Sequence, residues 1–110
     1  MKHTTPMQKA DTRERLKDSA IFYARKLGIT YDEFICHDRS MDLVDKRHVI
    51  WYFLRGEGYL PVDMENIFGF SHSSISYGTR RIKELITIKD NKILLLIGVI
   101  DASITHNLFI

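Results

Sequence analysis

The sequence predicts an all-α domain, a compact bundle of about six helices containing a helix-turn-helix. Apolar residues recur at spacings of three and four along most of the chain. No stretch shows the strict alternation of a half-buried strand, and short breaks with recognisable start and stop residues divide the periodic segments. A length of 110 residues suits one domain with a single core, and 45% apolar with 27% charged residues is the make-up of an ordinary globular protein.

Met1 to Asp11 is polar, so residues 1–11 are expected to form a disordered tail and 12–110 the single domain. Thr12 or Asp11 is the expected cap of a first helix reaching Leu27. Leu16, Ala20, Tyr23 (or Ala24) and Leu27 repeat at helical spacing, and Gly28 stops it. Thr30-Tyr-Asp-Glu33 is a capping-box pattern that opens a short helix over Tyr31 to Ile35. Ser40 is the expected cap of a third helix, Met41 to Arg55. Its middle, Val49 to Leu54, is apolar all round, as a central buried helix requires.

Gly56-Glu-Gly58 breaks the third helix, and Pro61 suits the first turn of a fourth, Val62 to Phe68, which Gly69 ends as a left-handed C-cap. Ser71 caps the fifth helix. On a helical wheel Ile75, Gly78, Thr79, Ile82, Leu85 and Ile86 share the inner face. Ser73, Tyr77, Arg80 and Glu84 lie opposite, with Ser76 beside them. Asp90 opens a last helix to about Asn107, whose apolar density suits packing over the others or self-association.

Several function classes find no support. One cysteine, Cys36, excludes an internal disulfide and fits a reducing compartment. No Cys or His pair has metal-ligand spacing. The first residues lack the apolar stretch of a signal peptide, and the longest apolar run, Ile93 to Ile100, falls far short of the ~20 residues that span a bilayer. A cytoplasmic protein without membrane, metal or cofactor is therefore expected. None of the glycines forms a phosphate-cradling Gly-x-x-x-x-Gly-Lys-Ser/Thr loop, so no ATPase and no nucleotide partner is expected. His72, Ser73 and Ser74 are neighbours on one turn with no carboxylate in the local sequence to orient them, which is no hydrolase triad, and no enzyme is expected.

The net charge is only +2, but residues 71–92 carry five basic and two acidic side chains. The fourth helix, a tight turn and the fifth helix form a helix-turn-helix pattern. Side chains in the first turn of an inserted helix reach base edges, and the free N–H groups there favour a phosphate. His72 and Ser73 can donate to or accept from a base, and Ser73 or Ser74 can bond a phosphate oxygen. Ser76, Tyr77 and Arg80 would meet the groove wall or backbone. The same residues also suit a polar, well-capped helix start with no partner, and the pattern alone leaves both readings open.

Arg47-His-Val-Ile-Trp-Tyr-Phe-Leu-Arg55, Ile67-Phe-Gly69, Ser71-His-Ser-Ser-Ile75 and Arg80-Arg-Ile82 together resemble the C-terminal DNA-binding domain of the bacterial replication initiator DnaA. The similarity spans roughly Arg13 to Ser103. In that family the recognition helix opens Asp-His-Thr-Thr-Val, where this chain has Ser71, His72, Ser73, Ser74 and Ile75. The resemblance implies a partner, double-stranded DNA, with the recognition helix in the major groove and Arg47 in the minor groove. It implies base reading by His72 and Ser73, and phosphate contacts by Ser74, Arg55 and Arg39. Ser71 replaces the family's acidic reader, so it can cap the helix without the same base preference. The expected function is regulation of DNA replication or transcription by site occupancy, without ATPase activity.

A protein-interaction module that keeps the fold but has lost DNA is the alternative. Clustering of Asp42, Asp45, Glu57, Asp63 and Glu65 on the DNA face would favour it. So would exposure of Ile93, Leu95, Leu96 and Val99.

Overall fold

A computed structural model of the chain describes the backbone of residues 6–108 and the side chains of residues 11–102. Its elements are α1 (Pro6–Lys26), α2 (Tyr31–Ile35), α3 (Met41–Gly56), α4 (Pro61–Phe68), α5 (His72–Thr87) and α6 (Asn91–Leu108), with no strand among the described residues. The all-α bundle predicted from periodicity is the observed fold.

Most boundaries follow local chemistry. Thr30 Oγ1 accepts from the Glu33 amide at 3.0 Å, and the Glu33 carboxylate accepts from the Thr30 amide at 3.0 Å, completing the capping box of α2. Gly69 adopts φ +80° as the C-cap of α4, a conformation that costs a glycine nothing and an L side chain about 1–2 kcal/mol. Asp90 caps α6 by accepting from the Ile93 amide at 3.0 Å.

Three details depart from expectation. Helix α1 begins at Pro6, a residue suited to the first helical position. Residues 6–11, assigned to the tail, are therefore helical, and Thr12 and Asp11 lie inside the helix, with Asp11 paired to Arg15 at 2.8 Å. The rest of the tail lies outside the described residues. Ser40 precedes α3 but makes no side-chain cap, and its own amide is taken at 2.7 Å by the Asp38 carboxylate. Between α5 and α6 a lysine, Lys89, turns the chain with φ +58°. The amides of Lys89 and Asp90 there donate to the carbonyls of Ile86 and Leu85, so the last turn of α5 is satisfied without glycine.

The core lies around α3, which packs on α1, α2, α5 and α6, with α4 packed on α1 and α5. Val49, Ile50, Trp51 and Leu54 of α3 are buried against Leu16, Ala20, Tyr23 and Ala24 of α1 and Phe34 of α2. Met64 and Phe68 of α4, Ile75 and Ile82 of α5, and Ile93 and Ile100 of α6 complete it. The most extensive helix–helix contact is that of α3 with α5. Gly78 makes it possible, because a Cβ built there would lie 2.7 Å from His48 Cδ2 and 2.8 Å from Trp51 Cε3.

A buried polar cluster fixes the same seam. The Asp45 carboxylate on α3 accepts from Arg81 Nη2 on α5 and Lys92 Nζ on α6, each at 2.9 Å. Arg81 Nη1 lies 3.1 Å from His48 Nδ1. Arginine has donors only, so Nδ1 must accept and the proton of neutral His48 sits on Nε2. Burial, reinforced by the charges of Arg81 and Arg47, pushes the His48 pKa down to about 4.

Candidate nucleic-acid interface

Helices α4 and α5 are joined by the three residues Gly69, Phe70 and Ser71. Ser71 is the N-cap of α5: its Oγ accepts from the Ser74 amide at 3.1 Å and lies 2.8 Å from Ser74 Oγ. The inner face of α5 buries Ile75, Gly78, Thr79 and Ile82, leaving Ser73, Ser76, Tyr77 and Arg80 exposed on the other side. Ser73, Ser76 and Arg80 make no side-chain hydrogen bond or ion pair among the described residues, so the fold itself does not use their polar groups. The helical-wheel division is the one observed.

His72 sits at the tip of the helix under a constraint the sequence did not disclose. One oxygen of Glu65, on α4, accepts from the His72 amide at 2.8 Å and contacts His72 Nδ1 at 2.7 Å. Those bonds hold the Glu65 carboxyl below its ordinary pKa. A carboxylate thus occupies the anion-favouring end of α5 that an entering phosphate would approach.

Arg47 is placed differently from the expectation. It is 5% exposed, and its side chain turns back under the α2–α3 loop. Nε donates to the Phe34 carbonyl at 3.1 Å, and Nη2 donates to the carbonyls of Cys36 at 2.5 Å and Asp38 at 3.3 Å. The guanidinium also lies 4.8 Å from the centre of the Phe70 ring. Here Arg47 is a clasp that ends α2 and shapes the loop leading to α3, and projection into a minor groove would require breaking these bonds. Desolvation lowers its pKa from the ordinary value, while Cys36 and the Asp38 charge act in the opposite sense. Nor does Arg47 pair with Asp42 or Asp45, which bind Lys46 and the Arg81–Lys92 pair.

The α2–α3 loop held by Arg47 carries Arg39, which is exposed and makes no ion pair among the described residues. Arg39, Arg47, Ser73, Ser74 and Tyr77 share one cleft of about 520 Å³ between that loop and the first two turns of α5. The structure therefore brings five of the sequence-predicted residues together. His72, Ser76 and Arg80 lie on the adjoining exposed face of α5. Arg55 is not at this cleft: it is half-buried, its Nη1 donates to the Tyr59 carbonyl at 2.7 Å, and it lines a second depression with Tyr52 and Lys83.

Sequence reading missed His37, His48, Trp51 and Phe70, which also line the cleft. His37 stacks on Phe70 with ring centres 4.3 Å apart, and Phe70 meets Trp51 edge-on at 5.2 Å. An aromatic residue inside a three-residue interhelical turn was the available signal for Phe70. Among the described residues no cluster of His, Cys, Asp or Glu is placed to hold a metal ion, and no helix is long and apolar enough to cross a membrane. No family model matches this chain, and no curated protein does either.

Proposed function

We propose that the protein binds double-stranded DNA through α5, reading bases with the first turn of that helix in the major groove and acting as a regulator of replication or transcription by site occupancy. The observation that carries this reading is the exposed face of α5, where Ser73, Ser76 and Arg80 have no partner among the described residues. Polar groups of this size at a helix tip, with cations beside them, match base edges and flanking phosphates. Arg39 on the neighbouring loop supplies a second backbone contact, and Arg47 supports that loop from beneath. The resemblance to the DNA-binding domain of the initiator points the same way.

Of the acidic residues that would favour a protein-only surface, Glu65 sits at the tip of α5, bound to His72, while three others are engaged elsewhere. Asp45 is buried in its pair of ion bonds, Glu57 accepts from Tyr23 and Ser19, and Asp63 accepts from the Leu60 amide.

Selection of oligonucleotides by the protein from a random duplex pool tests the reading. Enrichment of a motif is expected, with Ser73→Ala relaxing base preference. Arg80→Ala should weaken all sequences alike and reduce the salt slope by about 0.9. An unenriched pool with no binding at low salt refutes it. A second reading, docking of a protein on α6, is favoured by Leu95 and Val99, 72% and 48% exposed; Ile93 is buried and takes no part. Sedimentation of the wild type and of Leu95→Glu checks that reading, an unchanged monomer in both counting against self-association.

A further inference from the structure

The cleft beside α5 has a chemistry that duplex reading by the exposed helix face does not require. No acidic residue lines it, yet it holds two arginines. Arg47 is a buried cation whose hydrogen bonds all go to backbone carbonyls, with no carboxylate partner. The nearest negative charge is that of Asp38, which forms no ion pair with it, and a buried cation so placed favours a further anion nearby. Arg39 lines the same space, exposed and without an ion pair among the described residues. Trp51, 2% exposed, forms part of the wall, and its Nε1–H is the buried side-chain donor among the described residues that has no acceptor. Such groups in folded proteins normally find a partner. The stacked rings of His37 and Phe70, with the exposed Tyr77, add flat aromatic surface.

We infer that this cleft binds a nucleotide unit, a planar base carrying a phosphate, at a site that adjoins the duplex-reading face of α5 and shares Ser73 and Arg39 with it. A base presents a π-face that stacks on aromatic side chains. Its phosphate answers the two arginines and the hydroxyl of Ser73. The volume of about 520 Å³ falls within the range of small-molecule sites, about 300–1,000 Å³. The chain has no phosphate-cradling glycine loop, and a stacking cleft of this kind does not need one. Two sources share the chemistry: a free mononucleotide, and an unpaired nucleotide of a DNA strand.

Trp51 is the chain's one tryptophan, so its fluorescence reports on the cleft directly. Titrations with AMP, dTMP, a short oligo-dT strand, adenosine and inorganic phosphate, followed by Trp51 emission and in parallel by calorimetry, test the inference. Saturation by the mononucleotides identifies the free ligand, and saturation by oligo-dT alone identifies the strand; either supports the site. Arg39→Glu, at an exposed position that should leave the helical circular dichroism unchanged, should weaken binding at least about tenfold. Silence of both readouts up to about 5 mM of every probe overturns the inference, a weaker affinity than any useful site of this kind. Inorganic phosphate binding as tightly as AMP overturns it too, as does Arg39→Glu binding AMP and oligo-dT as well as the wild type. Duplex selection is read out separately, so loss of one kind of binding without the other tells the two proposals apart.

Discussion

Replacing Gly78 by alanine probes the contact on which the fold and the cleft both depend. The new Cβ would lie 2.7 and 2.9 Å from Cδ2 and Cγ of His48 and 2.8 Å from Cε3 of Trp51, against an optimum of about 3.5–4.0 Å for carbon pairs. An overlap of roughly 1 Å with two rings cannot be relieved by a rotamer change. His48 is 8% exposed and held by Arg81, and Trp51 is 2% exposed and wedged between His48 and Phe70. The remaining response is separation of α3 from α5, at the upper end of the usual overpacking cost of about 1–3 kcal/mol. Alanine recovers about 1 kcal/mol of helix propensity, leaving a net loss of about 2 kcal/mol. For a domain of this size that lowers the Tm by about 10 °C. Gly98→Ala is the internal control, since a Cβ there meets nothing within 4 Å and should stabilise α6 by up to about 1 kcal/mol. Thermal unfolding followed by circular dichroism measures both. A Gly78→Ala protein as stable as the wild type would refute the close-packed seam.

His48 makes stability depend on pH. Its folded pKa of about 4 lies below the unfolded value of about 6.5, so the unfolded chain binds the extra proton. Stability from neutral His48 is therefore present above about pH 6.5 and is lost as pH falls towards 4, by about 3 kcal/mol in all. Urea midpoints across that window should flatten in His48→Gln, and an equally steep profile in the variant would count against the assignment. Glu65→Gln removes the carboxylate from the tip of α5 and should raise affinity for duplex DNA several-fold at low salt, by roughly three- to tenfold. Anisotropy titration reads this, and weaker binding by the variant would contradict the placement of Glu65 across the phosphate path. Arg47→Lys cannot reproduce the Nε and Nη2 bonds to three carbonyls, so urea unfolding should show a loss of about 2–4 kcal/mol. A stable variant with reduced DNA affinity would return Arg47 to the groove.

Elements whose boundaries are set by neighbours in sequence were the legible ones. Thr30 with Glu33, Gly69, Ser71 and Asp90 each satisfy a helix end within three or four residues, and each does so as read. The errors came where local signals compete. Thr12 and Asp11 are acceptable caps, but Pro6 offers an earlier start. Ser40 is a good cap by type, yet Asp38 is placed to take the amide first. Lys89 bears no mark of a left-handed residue. Its conformation follows from closing α5 onto α6, with two amides returned to the last turn of α5.

The exposed half of the candidate site was equally legible, because a face of one helix is a local property; the charge of its surroundings is tertiary. Arg47 is buried through carbonyls nine to thirteen residues earlier in the chain, a relation that periodicity within α3 does not contain. Asp45 resembles a surface acid until Arg81 and Lys92, from two later helices, converge on it. That convergence takes a negative charge off the interface, while the Arg47 clasp presents Arg39 on the loop beside α5. In a chain of net charge +2, recessing Asp45 leaves Arg39 and Arg80 exposed near the tip and outer face of α5 without adding cations. Glu65 is the exception. It remains on the surface, bound to the amide and ring of His72, at the end of the helix where a phosphate is best received. Duplex affinity should therefore be governed by whether DNA displaces this one carboxylate from His72, which makes Glu65, more than any arginine, the residue whose neutralisation separates a DNA-reading helix from a capped helix with no partner.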